Sequence, residues 1–189
     1  MSDPFFFGYG SLVNRDTHAY SEAYPARLAG WRRTWRHTPQ RALAFLTAEP
    51  AEGVEIDGLI ARVPGDDWRA LDEREAGYAR HRIAGGLQHS APRAVAAQIY
   101  AVPAPDAVPA PRPILLSYLD VVVQGFLREF GTEGAADFFA TTAGWEAPVL
   151  DDRAAPRYPR HRVLTRAESA FVDDRLEALG ARLLPIDRP

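Results

Sequence analysis

The sequence contains no cysteine and no lysine, and both absences limit the chemistry that it can perform. Without cysteine it can form no disulfide, thiolate nucleophile, iron–sulfur cluster or cysteine-ligated zinc site. Without lysine, all 22 basic residues are arginines, so neither a Schiff base nor a P-loop lysine is available. A catalytic group must therefore come from Asp, Glu, His, Ser, Thr, Tyr or the backbone.

The sequence also lacks a strong charge imbalance and long apolar runs. Its net charge of -3 and pI near 6.0 give no electrostatic reason to expect nucleic acid or an anionic membrane as a partner. No apolar run approaches the ~20 residues of a membrane span, and no secretory leader pattern opens the chain. We therefore expect a cytoplasmic protein; the oligomeric state stays open.

Metal and nucleotide motifs are missing as well. The histidines are not spaced as H-x-H or H-E-x-x-H, so a metal site has no local support. The glycines near the N-terminus lack the third glycine of a dinucleotide-binding loop. We expect neither a metal nor a cofactor. The histidines are His18, His37, His81, His89 and His161.

The first half of the chain is predicted to be mostly β-structure. Residues 1–102 contain short runs of alternating apolar and polar residues, separated by turn signals. One helix is predicted over 65–75, with Trp68 and Leu71 on its buried face, a cap from Asp66 or Asp67, and Gly77 as its stop. The predicted strands are Phe5–Tyr9, Ala26–His37, Ala42–Leu46, Gly58–Val63, Tyr78–Leu87 and Ala94–Val102.

The second half is predicted to be helical. A proline-rich bridge over 103–113 precedes it and is expected to run extended over the surface. Neither half is long enough to bury a comfortable core alone, so we predict one domain over 1–189. Its class is α+β, with helices packed at the side of a small mixed β-barrel or strongly curved sheet. Within 114–189, helices are predicted over Ile114–Phe130, Ala135–Thr142 and Arg166–Leu184, the last capped by Thr165 with Glu168 three places on.

The stretch FGYGSLVN, residues 7–14, takes the chain from a buried strand into a turn. The strand should end near Tyr9 and leave Gly10, Ser11 and Leu12 in a turn where glycine permits backbone geometries closed to other residues. Successive N–H groups in such a turn can converge on a carboxylate or a developing oxyanion. An ordinary tight turn is the alternative. Val13 stands where a nucleophile elbow would need glycine, which argues against a nucleophilic Ser11.

A second candidate lies in LDEREAGYARHRI, residues 71–83. Glu75 stands at the junction between the predicted helix and the next strand, where its side chain could point inward. Asp72 and Glu73 are most simply solvated surface residues. Tyr118 lies on the apolar stripe of its helix, where a core tyrosine with a satisfied hydroxyl is the simplest interpretation.

Together these motifs resemble the gamma-glutamylcyclotransferase superfamily, which includes AIG2-like and ChaC-type proteins. Tyr9–Leu12 matches the YGS-type loop that follows the first strand in that family. Glu75 falls where those proteins carry a glutamate before a G-Y or Y-x-R run. Tyr118, in SYLD at the start of a long helix, is a weaker third match. The resemblance covers roughly residues 5–120.

The resemblance implies a fold, a reaction and a set of site residues. The fold would be a small mixed β-barrel with helices at its side, needing no metal or cofactor. The α-amine of a small γ-glutamyl compound would attack its own γ-carbonyl, giving 5-oxoproline and a free amine. Glu75 would be the catalytic base and acid, and Tyr9–Leu12 with Tyr118 would bind the substrate. A distal carboxylate could meet Arg80 or Arg15, although both arginines are more simply surface residues.

Other hypotheses remain open at this point. A binding or regulatory protein could keep the same loop and cavity to hold a small carboxylate without turning it over. An esterase could use Ser11, although no base stands beside it in the sequence. The leaving group could belong to a peptide, an amine or glutathione. Segment 144–163 has no counterpart in the family and could either cap the cavity or lie across the sheet.

Overall fold

A computed structural model of the chain describes residues 4–39, 41–104 and 110–186. It contains ten strands and three α-helices within those ranges. The strands are β1 (Phe5–Gly8), β2 (Ala23–Arg36), β3 (Phe45–Arg62), β4 (Ala79–Arg82), β5 (Leu87–His89), β6 (Ala97–Ala101), β7 (Ile114–Leu115), β8 (Thr142–Ala143), β9 (Val149–Asp151) and β10 (Leu183–Pro185), and the helices are α1 (Arg69–Arg74), α2 (Leu116–Ala140) and α3 (Arg166–Ala178).

The long antiparallel pair of β2 and β3 is the frame of a seven-stranded mixed sheet. The prediction of two separate strands, Ala42–Leu46 and Gly58–Val63, was wrong, because one continuous strand, β3, contains the end of the first range and nearly all of the second. The pairing register between β2 and β3 shifts between Ala29 and Trp31, where residues 51–54 of β3 form a bulge opposite Gly30. Gly30 and Gly53 have φ angles of 80° and 74°, so the bulge uses the left-handed backbone that glycine tolerates. In the sequence, the residues of this bulge resemble a turn between two strands.

Strand β1 lies in the middle of this sheet. It pairs antiparallel with β3 and parallel with β6. Phe5 and Phe7 pack into the main core, and Phe6 packs on the opposite face into a smaller cluster with Trp68 and Leu71. Three consecutive phenylalanines are stable here because both faces of the strand are covered.

The predicted strand Tyr78–Leu87 was wrong as a single element. Its first part is β4, which pairs with β6, and its continuation is β5, which pairs with β2 at the other edge of the sheet. Gly86, with φ of 76°, lies in the short link between them. No ladder joins β4 to β5 among the described residues, so closure into a barrel stays a prediction. The mixed sheet with flanking helices confirms the α+β class.

The helices follow the predicted pattern with shifted ends. Helix α2 joins the two predicted helices, with a break at Gly131 (φ 68°, ψ -169°). Helix α3 begins with the predicted capping box of Thr165 and Glu168, but it ends at Ala178 rather than Leu184. Gly180, with φ of 64°, follows its C-terminus and turns the chain into β10.

Helix α1 is shorter than the predicted helix over 65–75. It starts at Arg69, because Gly65 and Asp66 have positive φ angles of 63° and 54° and form a separate turn. Asp67 accepts a hydrogen bond from the Arg69 amide at 3.2 Å, close to the capping role that was predicted.

Several short strands lie in the half that was predicted to be helical. β7, β9 and β10 form a parallel three-stranded sheet, and β8 extends the main sheet beside β2. Strands of two or three residues are too short to leave a periodic signal in the sequence. Of the predicted proline-rich bridge, 105–109 lie outside the described residues.

The main core is built from both halves of the chain. Side chains of β1, β2 and β3 pack against α2 and α3, with Leu59, Ile60, Val122, Phe126 and Val172 fully buried. A core that both halves of the chain share is what a single domain would have. The prediction of one domain over 1–189 stays a prediction. Within 4–39, 41–104 and 110–186, none of the helices combines the length and apolar character that a membrane crossing requires.

Candidate active site

A cavity of about 370 Å³ opens where the loop after β1, the C-terminus of α1 and the start of α2 meet. Residues 41–46, which lead into β3, form one wall, and residues 157–160 form another. A narrower recess, lined by 7–12, continues from it. Ser11, Leu46, Glu75, Tyr78 and Tyr118 line both spaces.

The loop after β1 forms a short 3-10 helix, Ser11–Val13. The Val13 amide donates to the Gly10 carbonyl at 2.9 Å. The N–H groups that open such a helix have no carbonyl partner within it. That of Ser11 bonds to the Tyr118 hydroxyl, and that of Leu12 is left to bond elsewhere. Asn14, which no sequence motif marked, holds the loop on α2 by donating to the Val121 carbonyl at 3.0 Å.

Gly10 is needed for a different reason from the one predicted. Its φ of -127° is not a left-handed conformation. A Cβ atom at this position would lie 2.8 Å from the Tyr118 hydroxyl oxygen and 3.2 Å from Leu46 Cδ2. Glycine therefore allows Tyr118 to approach the loop backbone closely.

Glu75 caps the C-terminus of α1, as predicted, and Gly77 follows with φ of 98°. Its side chain is only 15 % exposed and faces the cavity. Burial raises the pKa of the Glu75 carboxyl, while the charges of Arg74 and Arg160 partly oppose that rise. Arg74 Nε lies 3.3 Å from Glu75 Oε1. A shielded carboxyl with a raised pKa is suited to accept a proton and to return it.

Arg74, which no sequence motif marked, connects Glu75 to the loop after β1. Its side chain donates to the Thr17 carbonyl at 2.8 Å, to Thr17 Oγ1 at 3.1 Å and to Ser11 Oγ at 3.2 Å. Burial lowers the pKa of its guanidinium, though not enough to make arginine a proton acceptor. The Ser11 hydroxyl thus bonds to a group that cannot activate it as a nucleophile.

Tyr118 is half-buried at the loop. The backbone N–H of Ser11 hydrogen-bonds its hydroxyl, and burial raises the pKa of Tyr118 well above its usual value. The phenol therefore stays protonated and can donate a hydrogen bond. By contrast, the Tyr9 hydroxyl donates to the Tyr100 carbonyl at 2.6 Å, so only the ring or the backbone of Tyr9 remains for a ligand. Leu12 is buried beside the narrow recess.

The two arginines suggested for a distal carboxylate lie elsewhere. Arg15 pairs with Glu129 at 2.5 Å, and Arg80 lies over the Trp68 ring, 4.2 Å from its centroid. Neither lines the cavity. The arginines that do, besides Arg74, are Arg41, Arg157 and Arg160.

Segment 144–163 contributes directly to the cavity through residues 157–160. This part of the segment therefore lies at the cavity, and its action as a cap stays a prediction. In the part of the chain that the structure describes, no group of three or more His, Asp or Glu side chains is placed to hold a metal ion.

Solved structures share this fold at low sequence identity. An uncharacterized protein of Homo sapiens, loc79017, is 14% identical with a TM-score of 0.58, over 92% of this chain and 99% of that chain. A gamma-glutamyl cyclotransferase is 15% identical with a TM-score of 0.55, over 90% and 99%. YkqA of Bacillus subtilis is 18% identical with a TM-score of 0.54, over 76% of this chain and 57% of its own.

The sequence also matches a family directly. Curated protein sequences contain no significant match to it. The family described as "Gamma-glutamyl cyclotransferase, AIG2-like" matches residues 6–117, more than half of the chain. That range includes the loop after β1, Glu75 and the start of α2, so the predicted resemblance is confirmed. The chain therefore belongs to the AIG2-like gamma-glutamyl cyclotransferase family.

Proposed function

We propose that this protein is a γ-glutamyl cyclotransferase. The α-amine of a γ-glutamyl compound attacks its own γ-carbonyl carbon, a C–N bond forms, and the bond to the original amide nitrogen breaks. The products are 5-oxoproline and a free amine. The observation that carries this proposal is the placement of the Glu75 carboxyl in one cavity with Ser11 and Tyr118.

Glu75 moves the proton that this reaction requires. The α-amine must lose a proton to become a nucleophile, and the leaving nitrogen must gain one to depart as an amine. One carboxyl beside both nitrogens can do this, first as base and then as acid. The raised pKa of Glu75 brings its basicity closer to that of the groups with which it exchanges the proton.

The loop and Tyr118 position the substrate for ring closure. The N–H of Leu12 holds the α-carboxylate or the developing oxyanion, and the Tyr118 hydroxyl, which accepts from the Ser11 N–H, adds a donor beside it. Because both reacting groups belong to one molecule, holding it bent accounts for much of the acceleration, on the order of 7 kcal/mol in well-oriented cases. No cofactor is required for such a step.

The surroundings of Glu75 and Ser11 favour this function over the two alternatives. A protein that only bound a carboxylate would gain nothing from a second negative charge in the same cavity, yet Glu75 faces it and is largely shielded from water. An esterase would need a base beside Ser11, whereas its hydroxyl bonds to Arg74.

The direct test is release of 5-oxoproline by the purified protein. The panel contains γ-glutamyl peptides, γ-glutamylamines and glutathione, with α-glutamyl isomers of the peptides as controls. In the α-linked isomers the amide bond is on the α-carbonyl, where attack by the α-amine would close a three-membered ring, so they should release neither free 5-oxoproline nor the amine. Failure to release 5-oxoproline from any γ-glutamyl compound would refute the proposal.

The pH dependence of the reaction provides a further prediction. Glu75 must be ionised to accept the first proton, so kcat/KM should fall as the pH is lowered through its pKa. Because burial raises that pKa above the ordinary value of 4.5, the acid limb should lie above pH 4.5. A kcat/KM profile from about pH 4 to pH 8 measures it. An acid limb at or below the ordinary glutamate pKa would contradict the assignment.

A further inference from the structure

The cavity holds more positive charge than the proposed reaction uses. Among the described residues, four arginines line it, against one carboxylate, that of Glu75. Arg74 is paired with Glu75 and tied to the loop. Arg41, Arg157 and Arg160 form no ion pair with any carboxylate in the described ranges of the chain. Unpaired cations that converge on a cavity favour an anionic ligand.

The segment that carries two of these arginines is held firmly. Asp152, which is 0% exposed, accepts hydrogen bonds from the Ser117 amide at 2.7 Å and from the Arg157 amide at 2.8 Å. The Tyr158 amide donates to Ser117 Oγ at 3.2 Å. The Tyr158 ring packs edge-on against Tyr118, with 5.0 Å between centroids. Residues 157–160 therefore form a fixed wall beside α2.

The three arginines without a carboxylate partner differ in their distance from Glu75 and in their exposure. Arg160 is half-buried and near enough for its charge to lower the pKa values of both Glu75 and Arg74. Arg157 is exposed, and Arg41 is steadied by its hydrogen bond to the Ala76 carbonyl at 2.9 Å and by the Phe45 ring. A ligand that leads outward from Glu75 meets positive charge along its length.

We propose that Arg157 and Arg160, together with Arg41, form a subsite for a carboxylate on the leaving amine. The preferred substrates are then γ-glutamyl amino acids and short γ-glutamyl peptides rather than γ-glutamyl derivatives of neutral or cationic amines. The inference rests on the proposed function and deepens it. Arg157 and Arg160 lie beyond the family-matched residues 6–117, so two of the three arginines of this subsite come from the C-terminal segment.

A matched pair of substrates tests the subsite. γ-Glutamylglycine and γ-glutamylglycinamide differ only in the terminal carboxylate, and a γ-glutamyl diamine places an ammonium there. We expect kcat/KM to favour the acid over the amide by about tenfold, and the diamine to be the poorest. The double variant Arg157→Gln/Arg160→Gln should bring the acid-to-amide ratio near one. Arg166→Gln, which removes an exposed arginine outside the cavity, should leave the ratio unchanged.

The outcomes separate this inference from the proposed function. Equal turnover of acid and amide by the wild type, or a preference that survives in the double variant, overturns the subsite and leaves the cyclotransferase activity standing. If no γ-glutamyl compound of the panel, these two included, yields 5-oxoproline, the proposed function fails. Calorimetric titration of both compounds into the Glu75→Gln protein then decides the subsite: tighter binding of the acid supports it, and equal or undetectable binding overturns it.

Discussion

Glu75→Gln is expected to lower kcat for 5-oxoproline release by about 10²- to 10⁴-fold, the usual contribution of a general acid–base group. Glutamine nearly reproduces the shape of glutamate, so the cavity should keep its form and KM should change little. The amide cannot accept a proton from the α-ammonium, nor return one to the leaving nitrogen. Steady-state kinetics on the best substrate of the panel measures the effect.

The neighbouring Glu73 provides the control. It is exposed and does not line the cavity, so Glu73→Gln removes the same charge from the same helix without touching the site. Its kcat should stay within a factor of about two of the wild type. Equal loss in both variants, or full activity in Glu75→Gln, would remove Glu75 from the mechanism.

Stability should change in the opposite direction from activity. The folded-state pKa of Glu75 is raised, so folding favours its protonated form. The stabilisation that this provides is present at low pH and is lost as the pH rises through the folded pKa. At pH values above this folded pKa the wild type holds an ionised carboxylate in a largely buried position, and Glu75→Gln removes it. The variant should unfold at an equal or higher temperature, which also excludes unfolding as the cause of lost activity.

Asp152→Asn is expected to reduce the free energy of unfolding by about 2–3 kcal/mol, a value typical of lost hydrogen bonds to a buried charged acceptor. The Asp152 carboxylate accepts from the Ser117 amide and hydroxyl and from the Arg157 amide. It also lies at the N-terminus of α2, where the helix dipole favours negative charge. An asparagine would turn an NH₂ group towards donors that need an acceptor.

Urea unfolding of Asp152→Asn and of the control Asp174→Asn measures this effect. Asp174 is exposed on α3, so its replacement should change stability by less than about 0.5 kcal/mol. Because Asp152 also fixes the segment that carries Arg157, KM for γ-glutamylglycine should rise more than kcat falls. Unchanged stability would mean that this buried carboxylate does not hold the segment.

Local sequence pattern was sufficient wherever one short stretch determines its own structure. The apolar run of Phe5–Phe7 predicts a buried strand, and Thr165 with Glu168 predicts the start of α3, because a capping box closes within one turn. Gly77 predicts the end of α1, which places Glu75 at a junction. These features depend on residues at most a few positions apart.

Pairing partners decided what local pattern could not. β3 is continuous because β2 lies beside it along its length, and the bulge at 51–54 resembles a turn until that partner is known. The predicted strand Tyr78–Leu87 is two strands in the structure, because β4 pairs with β6 and β5 pairs with β2 at opposite edges of the sheet. Neither partner can be identified from the residues of the strand itself.

The sequence by itself determined the α+β class, the loop after the first strand and the position of Glu75 at a helix end. Only the tertiary structure decided which arginines face the cavity, since Arg74, Arg157 and Arg160 reach it while Arg15 and Arg80 do not. It also showed why residue 10 is glycine: the hydroxyl of Tyr118, more than 100 positions away in the sequence, approaches its backbone closely. The physical reason is that periodicity and capping report which side of an element is buried, whereas the neighbours across a cavity depend on how distant elements pack.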